Sequence, residues 1–208
     1  MKKYIITAGV LVLTIGIWWY TASAAIVVVD SYSESNQNTS CAVYSPTLKG
    51  CGQTFTATGT TLDSAVFYVS KFGAPTGSVY AVLYAISGTS GVNGTPTGSA
   101  LATSDAFDIS TLTTSHALKT FTFSGADRYS MVNGTNYAIV LEYTNGDGSN
   151  ALFVGSDNTT PTDDGNQVQY IASWTAPSNS DVVFYVYGDD SGGSPVSLST
   201  VSDIVLFE

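Results

Sequence analysis

The segment Asn136–Tyr143 reads NYAIVLEY and carries the clearest structural signal in the chain. Side chains of a β-strand point alternately to its two faces, so residues two apart share a face. The odd-numbered residues from Tyr137 to Tyr143 are all large and apolar, and we expect this face to pack on the core. Ala138, Val140 and Glu142 would form the opposite face. The period of two excludes an amphipathic helix here.

The same alternation recurs along the chain between clusters of Gly, Pro and Asn. The other clear strands are predicted at Leu62–Val69, Ser78–Ile86, Leu118–Phe123 and Asp181–Gly188. Weaker strands are predicted at Ala25–Ser33, Gly52–Ala57, Ala106–Ile109, Ala151–Val154 and Gln167–Ser173. Turn signals lie between strands at Pro75–Gly77, Pro96–Gly98, Asn133–Gly134 and Asn145–Gly146. About ten strands without helical periodicity after residue 24 predict an antiparallel β-sandwich or barrel.

The N-terminus has the composition of an export signal. Two lysines precede the apolar run Tyr4–Tyr20, and Ala22–Ala24 supplies the small residues that a signal peptidase reads. The apolar stretch continues through Ala25–Val29, so it also approaches the roughly 20 residues that a membrane-spanning helix needs. Residues 1–24 are thus a hydrophobic helix that serves either as a cleaved signal peptide or as a retained anchor. Both alternatives predict an extracellular or cell-surface protein, with a virion as a further possibility, and any membrane contact only through uncleaved residues 1–24.

Composition restricts the partners. The chain has 44% hydrophobic and 12% aromatic residues, enough for a packed core, but only 11% charged residues. Its formal net charge is −10; without residues 1–24, which hold two lysines and no acid, 16 acids face 4 bases, giving −12. Phosphate binding needs clustered Lys and Arg, so nucleic acid is excluded as an expected partner.

Cys41 and Cys51 are the only cysteines. In an exported chain they predict a disulfide that closes a short loop. A zinc site is the weaker interpretation, because His116 is the only histidine and four His and Cys ligands cannot be assembled. We therefore predict no metal site built on these residues.

The composition changes after Gly188. We predict that residues 25–188 form the sandwich and that residues 189–208 form a flexible linker and a C-terminal tail. The apolar Ile204–Phe207 predicts either an edge strand or loosely docked tail, or a strand donated to a neighbouring subunit.

Several motifs resemble exported, bacterial or phage-associated jelly-roll domains of the choice-of-anchor or carbohydrate-binding-like type. The resemblance spans residues 30–188. It rests on Asp30–Gln37, Gly52–Thr56, Leu62–Ala65, Pro96–Ser104, Phe121–Gly125, Asn133–Tyr137 and Phe184–Gly188. It implies a jelly-roll fold with a display or binding role and brings no catalytic residues with it. The cysteine pair and the tail lie outside the shared pattern.

Catalytic chemistry has little support in the sequence. His116 lies in a polar stretch before a strand, without a G-x-S-x-G nucleophile motif anywhere in the chain, so an exposed, non-catalytic role is expected. Paired carboxylates of a glycosidase could come from the 16 acids. Most aspartates, such as Asp157, Asp163 and Asp164, lie instead in turn clusters, where the side chain stabilises the turn. The sequence predicts a protein that is not an enzyme.

The same aspartates could hold a structural calcium ion, because calcium takes carboxylate and carbonyl oxygens from loops. The nearest approach to a calcium loop is Asn145–Gly148, which lacks further carboxylates and fits a hairpin turn better. No other cofactor is predicted.

Glycan sites on β-sandwiches use exposed aromatic rings that stack on sugar faces. Tyr170, Trp174, Tyr185 and Tyr187 are the predicted ligand-binding residues, with packing of Trp174 at the core or its rim as the alternative. Three functions follow. The first is attachment to a glycan or other surface ligand. The second is a structural subunit of a filament or virion that assembles with copies of itself through its N- or C-terminal apolar segment. A secreted hydrolase is the third and least favoured.

Overall fold

A computed structural model describes residues 25–190 as fourteen antiparallel strands with three short 3₁₀ turns. The strands are β1 (Ile26–Tyr32), β2 (Thr39–Val43), β3 (Gly50–Thr56), β4 (Thr61–Phe72), β5 (Ser78–Ser87), β6 (Thr95–Thr103), β7 (Phe107–Asp108), β8 (Ala117–Thr122), β9 (Asn136–Glu142), β10 (Ala151–Asp157), β11 (Gln167–Tyr170), β12 (Trp174–Thr175), β13 (Asp181–Val182) and β14 (Phe184–Asp189). The 3₁₀ turns are Glu34–Asn36, Ile109–Thr111 and Gly125–Asp127. The predicted N-terminal helix and the predicted strand at residues 204–207 lie outside the described residues.

The strands form two seven-stranded sheets. Sheet I has the order β1-β14-β4-β10-β13, with β2 paired to β10 and β8 paired to β4. Sheet II has the order β12-β11-β3-β9-β5-β6, with β7 paired to β5. Strands adjacent in sequence often lie in different sheets, as β9 and β10 do, so the chain crosses repeatedly between the two layers. The predicted all-β sandwich is confirmed at this level.

The core lies between the two sheets and matches the alternation of the sequence. On β9 the predicted inward residues Tyr137, Ile139 and Leu141 are almost fully buried. From the facing sheet come large buried side chains such as Phe67 and Phe184. Each such side chain contributes about 1.5–3 kcal/mol when buried, so this layer supplies most of the stabilisation.

The opposite face of β9 is also buried in part, because Ala138 and Val140 have no exposed area. They form a second small cluster with Val168, against which Trp174 packs. The second face is buried because the side chains of Tyr84, Ile86 and Trp174 pack against it.

Most predicted strands are present, with extended or shifted bounds, and three, β2, β6 and β12, were missed. Strand β6 contains Pro96 and Gly98, which sequence reasoning assigned to a turn. It is an edge strand, where Pro need not donate to a neighbour, and Gly98 has a φ of 73° beside a register shift with β5. The predicted hairpin at Asn145–Gly148 is instead a tight turn closed by Asp147 and Asn150 within the connection from β9 to β10.

The predicted disulfide between Cys41 and Cys51 is present, with Cα atoms 6.6 Å apart. It links β2 of sheet I to β3 of sheet II. Among residues 25–190, no helix has the length and apolar character required to cross a membrane.

Candidate functional site

The outer face of sheet II carries a row of residues aligned across four strands. Tyr170 on β11 lies opposite Gly50 on β3, Gly50 lies opposite Glu142 on β9, and Glu142 lies opposite Tyr80 on β5. Residues directly opposite each other project from the same face of a sheet. Because Gly50 has no side chain, the row has a gap between Tyr170 and Glu142.

The indole of Trp174 lies over this gap. A Cβ atom added at Gly50 would approach the indole Cη2 to 3.2 Å and a methyl group of Val140 to 3.3 Å, so the ring rests close to the backbone of β3. Its ring centroid is 5.0 Å from that of Tyr170 and 5.6 Å from that of Tyr84, with interplanar angles of 60° and 61°. These are edge-to-face contacts, which fix the orientation of all three rings.

The three rings border a cleft of about 280 Å³, which we call the aromatic cleft. Its lining residues come from five strands, from the residue before β3 and from the loop after β9: Lys49, Tyr84, Gly98, Glu142, Thr144, Tyr170 and Trp174. The backbone N–H of Lys49 donates to the carbonyl of Tyr170 at 2.9 Å, which ties the start of β3 to β11 at the cleft.

Two charged side chains lie in the aromatic cleft, and neither has an ion-pair partner among residues 25–190. The hydroxyl of Tyr84 donates to Oε1 of Glu142 at 2.7 Å. Burial, and then this hydrogen bond, raise the pKa of Tyr84 well above its ordinary value. The ammonium of the half-buried Lys49 makes no hydrogen bond within the described residues. The cleft therefore offers one free donor and one carboxylate beside three aromatic rings.

The lining of the aromatic cleft combines one carboxylate with three aromatic rings. The carboxylate, Glu142, accepts from the hydroxyl of Tyr84, a group whose pKa is raised and which is therefore not activated as a nucleophile. Aromatic rings beside a few polar groups are instead the composition of a binding site.

The four predicted ligand-binding residues lie on two different sheets. Tyr170 and Trp174 meet in the aromatic cleft. Tyr185 and Tyr187 lie on β14 of sheet I, with ring centroids 6.4 Å apart and planes nearly parallel at 17°. The hydroxyl of Tyr185 donates to Glu34. The four residues therefore cannot belong to one site.

Sequence reasoning missed Lys49, Tyr84 and Glu142 as members of the cleft. Tyr84 shares a strand face with Tyr80, and that alternation is visible in the sequence. The register that brings β5, β9 and β3 side by side depends on pairing between distant segments, which no local pattern reports.

A second cleft, of about 320 Å³, lies where loops from both sheets meet; we call it the polar cleft. Beneath it the buried amide of Gln53 donates to Asp163 at 2.9 Å and to Asp181 at 2.7 Å, and accepts from the N–H of Val182 at 2.9 Å. The second oxygen of Asp181 accepts from the N–H of Asp163 at 3.0 Å. Burial raises the pKa of Asp163 to about 6 and also raises the pKa of Asp181. The pair of carboxylates is thus joined by the protein's own amide.

The aspartates predicted in turns do cap turns. Asp163 accepts from the N–H of Gly165 at 2.8 Å, and Asp157 accepts from the N–H of Thr159 at 2.9 Å. Asp157 also accepts from the hydroxyl of Tyr32 at 2.8 Å. Desolvation opposes the charge of Asp157, but these hydrogen bonds outweigh it and lower its pKa. Within residues 25–190, no three His, Cys, Asp or Glu side chains are grouped to hold a metal ion.

His116 was expected to be exposed, but it is half-buried on the outer face of sheet I. Its Nε2 lies 3.1 Å from the hydroxyl of Ser40, and its ring centroid is 5.3 Å from that of Tyr68. Burial lowers its pKa. No carboxylate in the described part of the chain bonds to the imidazole, so the elements of a triad are not assembled there.

Comparisons with family models, with curated proteins and with solved structures found no match to this chain. The resemblance to choice-of-anchor or carbohydrate-binding-like domains therefore stays a prediction.

Proposed function

We propose that the protein is a non-enzymatic, exported β-sandwich of the jelly-roll type that attaches to glycans through the aromatic cleft. The observation that carries the proposal is the placement of Trp174 over Gly50, between two tyrosine rings and beside an unpaired Lys49. Stacking on sugar faces needs aromatic rings held in place, and edge-to-face contacts hold these. Hydroxyl groups of a sugar need donors and acceptors at the rim, which Lys49 and Glu142 supply.

The leader and the low charge content support a location outside the cell. Residues 1–24 read as an export signal or anchor, and the Cys41–Cys51 disulfide fits an oxidising compartment. A glycan on a cell surface or in an extracellular matrix is a partner that such a protein would meet.

The test is affinity electrophoresis of the purified protein through gels that contain single polysaccharides, neutral and acidic. At least one polysaccharide should retard the native protein. Trp174→Ala should lower the affinity for that polysaccharide by a factor of about 30 or more, as expected for a central aromatic residue of a binding site, so the variant should no longer be retarded.

Tyr185→Ala is the matched control, because it removes a half-buried aromatic ring from the outer face of the other sheet. It should leave the retardation unchanged. Equal losses in the two variants, or no retardation by any polysaccharide, contradict the proposal.

Strand β1 favours a second candidate, a structural subunit. Within residues 25–190 it pairs only with β14, so one of its edges is open, and Ile26 and Val28 are about half exposed. Ala25 and Asp190 are hydrogen-bonded to each other, so both ends of the described chain lie beside this strand. A strand added to such an edge would join neighbouring subunits.

Light scattering at increasing concentration separates the two candidates. A structural subunit forms oligomers, and Val28→Lys, which places a charge on the exposed edge, returns them to monomers. A protein that is monomeric at all concentrations contradicts this second candidate and leaves the first unaffected.

A further inference from the structure

The charges in the aromatic cleft bear on which glycans it can hold. Lys49 and Glu142 line the same cleft of about 280 Å³, one positive and one negative, and no ion pair joins either of them to another described residue. An anionic sugar that approached Lys49 would therefore also approach Glu142. The attraction and the repulsion act within one cleft and oppose each other.

The rest of the chain adds repulsion. Residues 25–190 contain 14 acids and 4 bases, a net charge of −10. Two of the other three cations already have partners elsewhere: Lys71 donates to the carbonyl of Ser110 at 2.5 Å, and Arg128 pairs with Asp63 and Asp189. The third, Lys119, lies on β8 of sheet I, on the other sheet. No second cation lines the aromatic cleft. A polyanion would have one favourable contact in an otherwise negative field.

A neutral sugar can form hydrogen bonds with both charged side chains of the cleft, Lys49 and Glu142. A hydroxyl group donates one hydrogen bond and accepts others, so it can accept from the ammonium of Lys49 while a neighbouring hydroxyl donates to Glu142. Such bonds to charged groups are stronger than bonds between neutral groups. Oε1 of Glu142 already accepts from Tyr84, which holds the carboxylate in place and leaves Oε2 to the ligand. The apolar face of the same sugar can lie on Trp174.

We propose that the aromatic cleft selects neutral glycans, with Lys49 as donor and Glu142 as acceptor to two adjacent hydroxyls of one pyranose ring. This specificity rests on the proposed glycan-binding function. Glu142 is a specificity residue because it bonds to a neutral sugar and repels an acidic one.

Isothermal titration of the full chain with two classes of probe tests the inference. The neutral probes are the hexasaccharides of glucose, xylose, mannose and galactose, and the acidic probes are oligogalacturonate and hyaluronan fragments of equal length. The native protein should bind a neutral probe at least tenfold more tightly than every acidic one. Its affinity should change less than twofold between 50 and 300 mM salt, because no net charge is neutralised.

Glu142→Gln is the decisive variant, since it keeps the shape and removes the charge. It should weaken the neutral probe about tenfold and strengthen the acidic probes, so that the selectivity narrows or reverses. Lys49→Met should weaken the neutral probe and leave the acidic probes weak. Tyr84→Phe keeps the ring and the charge of Glu142 but removes the bond that holds the carboxylate, so it should weaken the neutral probe less than Glu142→Gln and leave the acidic probes weak. Tyr185→Ala, on the other sheet, is the control that should change neither class of probe. Thermal unfolding of each variant shows whether the fold is kept.

The outcomes separate the two proposals. If an acidic probe binds the native protein most tightly and Lys49→Met and Trp174→Ala both abolish that binding, neutral selectivity is wrong and the glycan site stands. If no probe of either class binds and Trp174→Ala changes nothing, the proposed function is wrong.

Discussion

The polar cleft and the aromatic cleft have similar volumes, about 320 and 280 Å³, and β3 supplies a key residue to each. Under the polar cleft, Gln53 and Asp181 have their polar atoms bonded to the protein's own groups. In the aromatic cleft, Gly50 leaves room for a ring, and the ammonium of Lys49 has no bonding partner within the described chain. The comparison teaches that cleft size alone does not indicate a site. Polar groups already bonded within the chain stabilise it, whereas those left unpaired are available to a ligand.

The largest effect is expected from Gln53→Leu. The change removes the partner of two carboxylates and of the N–H of Val182, all at the junction of the two sheets. Each buried group left without a partner costs about 1–3 kcal/mol, so we expect the free energy of unfolding to fall by about 4 kcal/mol. Urea unfolding measures the loss.

Gln169→Leu is the control, because the side-chain amide of Gln169 contacts only the sulfur of Cys41. Its backbone carbonyl accepts from the hydroxyl of Thr175 on β12, and the substitution keeps this bond. We expect a change below about 1 kcal/mol there, since only a weak side-chain contact is lost. If Gln53→Leu is as mild as its control, the polar cleft is not a structural network, and the contrast between the clefts fails.

The second-largest effect on stability is expected from loss of the disulfide. Cys51 lies on β3 between Gly50 at the aromatic cleft and Gln53 beneath the polar cleft, so the bond is close to both clefts. The bond closes a loop with a sequence separation of 10 residues. Loop-closure entropy predicts that replacing both cysteines with alanine lowers the free energy of unfolding by about 3 kcal/mol.

A glycan-binding assay of the variant without the two cysteines tests whether the aromatic cleft depends on the disulfide. The sulfur of Cys51 is fully buried in the core, while Gly50 faces the aromatic cleft. Glycan affinity should therefore change less than twofold at a temperature where the variant is folded. A reductant should destabilise the native protein by a similar amount and leave the variant unchanged; a variant as stable as the native protein would show that the loop is held by packing alone.

The sequence predicted the sandwich because local alternation and turn residues act over a few positions. On β9, burial of Tyr137 and Ile139 followed directly from the period of two. The same reasoning failed for β6, where Pro96 and Gly98 look like a turn and are tolerated only because that strand lies at an edge of sheet II.

The aromatic cleft was only half predictable. Trp174 and Tyr170 are four residues apart and could be grouped from the sequence, since aromatic residues near a loop suggest a binding surface. Glu142 and Lys49 join them only through the register of β3 with β9 and β11, which pairs segments about 90 to 120 positions apart. Gln53 and Asp163 are likewise 110 residues apart in the chain. Local residue spacing cannot predict contacts between segments so distant in the chain.

The smallest expected effect is a change in pH dependence in Asp163→Asn. Burial raises the pKa of Asp163 to about 6, above the value of about 3.9 of an unfolded chain, so the folded protein binds more protons between these values. This carboxyl therefore stabilises the fold most below about pH 4, and its contribution is lost as the pH rises through 6. Because Asp163 is partly exposed, solvent screening reduces the effect to about 1 kcal/mol.

The asparagine variant keeps an oxygen that can accept from Gln53 and Gly165 but does not titrate. We expect it to be more stable than the native protein by about 1 kcal/mol at pH 7.5 and equally stable at pH 4, because only the charged form is penalised. Urea unfolding across this range measures the difference, with the exposed neighbour variant Asp164→Asn as the control that should run parallel to the native protein. A difference that grows towards low pH would mean that the charged carboxylate stabilises the fold. The network under the polar cleft would then favour the charged carboxylate, and the polar cleft would become a candidate binding site beside the aromatic cleft.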